Sequence, residues 1–96
     1  MISIEKIISS AKKTILSESK SIAKLSDFID NTFAAAVSEI FNSKGRLVVT
    51  GIGKSAIIAQ KLVASFNSTG TASLFLHASE AIHGDLGMIQ DHDVIL

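Results

Sequence analysis

Ninety-six residues leave room for one small hydrophobic core and rule out two independent ones. With 47% apolar and 19% charged residues there is enough apolar side chain to offset chain entropy, and the absence of cysteine excludes disulfides, thiolate metal sites and a cysteine nucleophile. Nine basic against nine acidic residues give a formal charge of zero, so no global electrostatic footprint points to nucleic acid or an anionic membrane as a partner. No stretch approaches the roughly 20 apolar residues of a membrane span. The opening Met1-Ile-Ser-Ile-Glu-Lys carries an acid too early for a secretory signal, which leaves a cytoplasmic protein as the expectation.

In chain order, Ile4, Ile7, Ile8, Ala11, Ile15, Ile22 and Leu25 mostly follow steps of three, four and seven and predict a first amphipathic helix from about Ile2 to Leu25. Ser26 before Asp27 reads as the N-cap of a second helix, whose face is Phe28, Ile29, Phe33, Val37, Ile40 and Phe41, ending near Asn42. Lys44 and Gly45 supply the cation and the flexible residue expected just past a helix end. Leu47-Val-Val-Thr is then a short run rich in β-branched residues, a buried strand of parallel type.

Gly51-Ile-Gly-Lys-Ser breaks that strand, and Ile57, Ile58, Leu62, Val63 and Phe66 restore a helical period until Asn67-Ser-Thr-Gly stops it. Ala72-Ser-Leu-Phe-Leu predicts a second strand ending at His77, where a polar segment begins with Ser79 as N-cap of a one-turn helix. Asp93-Val-Ile-Leu opens a third run that stops at the last residue with no helix to cover it, so the chain is expected to be cut short of a complete domain. The order β-α-β-(short α)-β predicts an α/β fold with ligands at the carboxyl ends of the strands, where both Gly51–Ser55 and His77–Asp85 fall.

Two nucleotide motifs are tested by spacing. A nucleotide-hydrolase phosphate loop needs a glycine where Val48 stands, and that reading fails. Gly51, Gly53 and Ala56 satisfy G-x-G-x-x-A, but the acid wanted for the ribose is replaced by His77. What survives is more general: a glycine loop ending at Gly53 at a helix N-terminus exposes backbone N–H groups, and Lys54 and Ser55 add a charge and a hydroxyl. Such a site suits a phosphate, the other reading being a tight turn with Lys54 solvated. His77 and His83, with Glu80 between them, lie beside it and suit acid/base work or contact with a substrate hydroxyl. They provide only two ligands for a metal, against the usual four of a closed zinc site. His92 belongs to a solvated turn and takes no role.

Gly51-Ile-Gly-Lys-Ser, then Ser68-Thr-Gly-Thr, then His77-x-x-Glu-Ala-x-His-Gly-Asp-Leu-Gly-Met resemble the opening half of the sugar isomerase (SIS) domain of bacterial D-arabinose 5-phosphate isomerases, from about Lys24 to Leu96. The resemblance implies a three-layer, flavodoxin-like parallel sheet flanked by helices, stopping after its third strand. It divides the chain into an N-terminal helix, 1–25, and the first half of an SIS domain, 26–96. It implies interconversion of D-ribulose 5-phosphate and D-arabinose 5-phosphate on the way to Kdo, the acidic sugar of lipopolysaccharide and some capsules. Carried over by position, Lys54 is the catalytically important lysine, and Gly70, Thr71, His77 and His83 are substrate contacts. No cofactor is required, and His77 matches a position that binds inhibitory zinc. Ala72, Ala78 and Ala56 stand where relatives often have proline, proline and glycine.

The family's Ser-rich phosphate loop, later catalytic acids and CBS modules have no counterpart in these residues, so the resemblance implies the function of a longer protein and no turnover by this chain alone. Isomerisation through an enediol needs a base, a proton donor and help for the developing oxyanion. Lys54 fits the last role and His83 a place near the substrate hydroxyls or carbonyl. The alternative is a regulatory SIS module that senses sugar phosphates without transforming them. The apolar faces of the two N-terminal helices imply contacts between subunits, and the resemblance implies a tetramer.

Overall fold

The computed structural model describes all residues, 1–96, in two compact units, Met1–Ala35 and Ala36–Leu96. The first unit is dominated by helix α1, Ile4–Lys24, whose N-cap Ser3 hydroxyl accepts from the Lys6 amide at 3.2 Å. Glu5 in its first turn and Lys24 in its last complement the helix dipole. No residue of α1 is buried, and Ile4, Ile15 and Ile22 stay exposed along one face.

A 3-10 turn over Leu25–Phe28 follows, and here the sequence reading needs correction. Ser26 caps nothing: its hydroxyl donates back to the Ala23 carbonyl at 2.9 Å. The second helix, α2, Asn31–Asn42, starts later, because the Asp30 carboxylate accepts from the amides of Thr32 and Phe33. Phe28 and Ile29 therefore precede the helix instead of belonging to its face.

The second unit holds β1 (Leu47–Gly51), α3 (Lys54–Ser68), β2 (Ser73–His77), the short α4 (Ala78–Ile82), a 3-10 turn (Asp85–Met88) and β3 (Val94–Ile95). The three strands form one parallel sheet in the order β2-β1-β3, which is the α/β arrangement expected. β1 is central, and Leu47, Val48 and Val49 are all buried, as a strand covered on both faces requires. Leu47 and Val49 join Ala59 in the core, with Ile40, Val63, Phe66, Phe75 and Val94 packed around them. Ala59, Val63 and Phe66 of α3 thus lie on the sheet face that Leu47, Val49 and Phe75 share.

Gly45 is required for a different reason from the one expected. It does not adopt a positive φ. Instead, a Cβ at this position would overlap the carbonyl of His92 and sit 2.7 Å from the Asp93 nitrogen, so the glycine allows the turn before β3 to approach the start of β1. Arg46 and Asp93 seal this junction with an ion pair of 2.8 Å, and the Asp93 carboxylate also accepts from the Arg46 and Gln90 amides.

Candidate functional site

The parallel register puts Gly51 opposite His77, so the glycine loop after β1 and the polar segment after β2 emerge side by side at the carboxyl edge of the sheet. Adjacent strands are separated by about 4.8 Å, so groups leaving this edge can act on one small ligand. The loop is short: Gly51 and Ile52 lead to Gly53, which caps α3 with φ 61° and ψ −133°. That conformation is open to glycine and costly for any residue with a Cβ. Gly53 has no side chain with which to cap the helix. Its carbonyl accepts from the Ala56 amide at 3.1 Å, while the first helical amides, Lys54 and Ser55, find no protein acceptor.

Thr50, Lys54 and Ser55 line a groove of about 330 Å³ with Val49, Ile58 and Leu96. Its lining is mostly apolar, with Thr50, Lys54 and Ser55 as the polar residues. Arg46–Asp93 is the single ion pair of the chain, so the exposed Lys54 is free to meet an anion. A larger hollow of about 760 Å³ is an open trough lined by α1 side chains alone, with neither glycine loop nor histidine.

His77 is half-buried and stacks edge-on against Phe75, with centroids 6.1 Å apart. It also caps α4, because its Nδ1 accepts from the Ser79 amide at 3.1 Å. This corrects the reading of Ser79 as the cap: Ser79 supplies the donor and His77 the acceptor. An accepting Nδ1 places the proton of the neutral ring on Nε2, which can then donate to an oxygen. His83 is exposed at the end of α4, where its amide donates to the carbonyls of Ser79 and Glu80.

Gly70 and Thr71 stand elsewhere. They precede β2, whose first residue Ser73 pairs with Leu47 at the amino edge of the sheet. At 3.3 Å per residue the strand carries His77 about 13 Å further on. The structure therefore gathers Gly53, Lys54, Ser55 and His77 at one edge, follows them with His83, and leaves Gly70 and Thr71 at the other. No three His, Asp or Glu side chains are grouped to hold a metal. Sequence reasoning missed Thr50, the penultimate residue of β1, which lines the groove beside Val49.

The SIS domain family model matches residues 39–96. The chain belongs to the SIS domain family. Among curated SIS relatives, arabinose 5-phosphate isomerase KdsD of Shigella flexneri is 45% identical over 85 residues, which is 88% of this chain and 26% of that protein. KdsD of Escherichia coli K12 is 44% identical over the same length. Among solved structures, c3406 of Escherichia coli CFT073, in complex with arabinose 5-phosphate, superposes with a TM-score of 0.90 at 39% identity. It covers 98% of this chain, which spans 50% of that one. This SIS chain thus spans about a quarter of the length of the curated relatives it matches.

Proposed function

We propose that this SIS chain forms the sugar-phosphate-binding edge of an aldose-ketose isomerase that interconverts D-arabinose 5-phosphate and D-ribulose 5-phosphate. The observation that carries the reading is the register of Gly51 with His77, which sets an anion-binding loop beside a hydrogen-bonding imidazole. The KdsD relatives and the arabinose 5-phosphate complex of the structural neighbour supply the substrate class.

In this reading the free amides of Lys54 and Ser55 and the Ser55 hydroxyl bind oxyanion oxygens, and Gly53 gives the backbone the approach they need. The Lys54 ammonium stabilises the charge that develops on the carbonyl oxygen as a proton moves between adjacent carbons. His77 contacts the sugar through Nε2–H, and His83 meets its hydroxyls or carbonyl. Gly70 and Thr71, assigned as substrate contacts by resemblance, gain no support from this edge.

The reaction asks for no cofactor. Inhibitory zinc would need the lone pair of His77 Nε2, so the ring proton would have to move to Nδ1 and the α4 cap bond from the Ser79 amide would be lost. The exposed apolar faces of α1 and α2 support assembly with further copies, with a tetramer as the expected number. No helix is long and apolar enough to cross a membrane. The proposed reaction belongs to a cytoplasmic step in Kdo, and hence lipopolysaccharide or capsule, synthesis.

Titrating the 15N-labelled chain with arabinose 5-phosphate, inorganic phosphate and arabinose tests the binding half. The amide signals of Gly53, Lys54, Ser55 and His77 are expected to move with the sugar phosphate and to move less with either part alone. Shifts confined to α1, or none, would overturn it. Binding without turnover in an assembled enzyme would favour the sensing module instead.

A further inference from the structure

The segment that carries His83 is weakly held by packing. Ile82, Leu86 and Met88 are 81%, 59% and 47% exposed, so their burial contributes little to fixing its path. Its backbone bonds are internal: His83 to Ser79 and Glu80, Gly84 to Ala81, and Ile89 to Leu86. At its start the Ser79 amide is held by the His77 imidazole. From there to Met88, one hydrogen bond reaches the rest of the sheet unit, the 2.7 Å bond donated by Arg46 Nη2 to the Met88 carbonyl.

Arg46 can make that bond because its guanidinium is already aimed. Nε and Nη2 donate to the two Asp93 oxygens at 3.3 and 2.8 Å, and the Asp93 side chain is 1% exposed. The Arg46 amide donates to the same carboxylate, and the Arg46 carbonyl accepts from Val94, so both ends of the side chain are tied to the strands. A planar fork held on one side by a buried carboxylate presents its remaining N–H in a fixed direction.

We propose that Arg46, oriented by Asp93, is a positioning residue that sets the His83 segment at the site from the opposite edge of the sheet. It touches no substrate. It acts on the end of the segment five residues beyond His83, where the 3-10 turn closes. The functional part of the proposal rests on the sugar-phosphate reading above, whereas the tether itself can be judged without any ligand.

Lysine separates the two jobs of Arg46. Its Nζ reaches only to the place of the guanidinium carbon, one bond short, so Arg46→Lys retains the pairing with Asp93 and loses the bond to Met88. In the 15N-labelled chain, Arg46→Lys is expected to melt close to the unmodified chain. Amide exchange at His83, Gly84 and Ile89 should speed up about tenfold or more, with Leu47 and Thr50 changing less than about twofold. Arg46→Met should accelerate exchange in both regions.

With arabinose 5-phosphate, Arg46→Lys should lose most of the shift at His83 while keeping those at Gly53 and Lys54. Unchanged exchange at His83 to Ile89, or acceleration spread evenly over the unit, would overturn the tether. Should either variant fail to fold, the unmodified chain still decides: the tether requires slowly exchanging Arg46 Nη2 protons and a scalar coupling across the bond to the Met88 carbonyl, and their absence refutes it. If no arabinose 5-phosphate shift occurs anywhere in the unmodified chain, the sugar-phosphate reading fails and the exchange result stands alone. If shifts occur and His83 responds fully in Arg46→Lys, the positioning role fails and the sugar-phosphate reading survives.

Discussion

Replacing Gly45 by alanine puts a methyl group where two stretches of backbone already meet. The new Cβ would overlap the His92 carbonyl and lie 2.7 Å from the Asp93 nitrogen. These are main-chain atoms, so no side chain can rotate away, and relief requires the turn before β3 to move. That movement strains the bond from Val94 to the Arg46 carbonyl, now 3.0 Å, and the one from Ser43 Oγ to the His92 carbonyl at 3.2 Å. Overpacking of this kind costs about 1–3 kcal/mol, and the upper part of the range applies where backbone must shift. For a domain of this size, about 2–3 kcal/mol lowers the melting temperature by roughly 10 °C or more. Urea and thermal unfolding followed by circular dichroism measure it. Gly87→Ala is the control, since it meets nothing within 4 Å and has no positive φ, and a change within about 0.5 kcal/mol is expected. Equal stabilities of the two variants would refute the close-approach argument.

The Asp93 carboxyl is held well below its ordinary 3.8 by the Arg46 guanidinium, helped by the Gln90 and Arg46 amides. Because the folded-state value lies below the unfolded one, this stabilisation is complete above the ordinary value and is lost as pH falls below it towards the folded value. Urea midpoints should therefore drop more steeply with acid in the unmodified chain than in Asp93→Asn; parallel pH profiles would contradict this. Gly53→Ala meets no neighbour within 4 Å, yet its φ of 61° should cost about 1–3 kcal/mol by backbone strain alone and weaken arabinose 5-phosphate shifts at Ser55. A fully stable variant would refute the strain. Lys54→Ala, placed in a chimera in which this chain replaces the matching segment of Escherichia coli KdsD, should lower turnover about a hundredfold, with a much smaller change in the Michaelis constant. A rise in the Michaelis constant alone would make Lys54 a ground-state clamp.

The parallel strands and the loop at Gly51–Ser55 were legible because their signals are local: a β-branched run, then glycines, then a helical period. The start of α2 was not, since Phe28 and Ile29 fit a helical period while the Asp30 carboxylate, by capping the amides of Thr32 and Phe33, decides where the helix begins. Capping chemistry won over periodicity. His77 stands out in the sequence as a site residue, but its second job as cap of α4 depends on the orientation of one ring nitrogen, which no spacing reveals. The junction of Gly45 and Arg46 with His92 and Asp93 joins residues 47 apart, and only the closed sheet brings them together. A hint was present: each apolar run, Leu47-Val-Val and Val94-Ile-Leu, is preceded by a charge, and the two charges are opposite.

The central claim is that the loop at Gly53–Ser55 and the imidazole of His77 form the sugar-phosphate edge of an isomerase. The most direct measurement is conversion of arabinose 5-phosphate to its ketose by the KdsD chimera, set beside KdsD in which the same segment is deleted. The account predicts protein-dependent conversion by the chimera and none by the deletion. A folded chimera that binds arabinose 5-phosphate with the expected shifts at Gly53, Lys54, Ser55 and His77, yet converts none of it, would contradict the claim and leave this SIS chain a binding module.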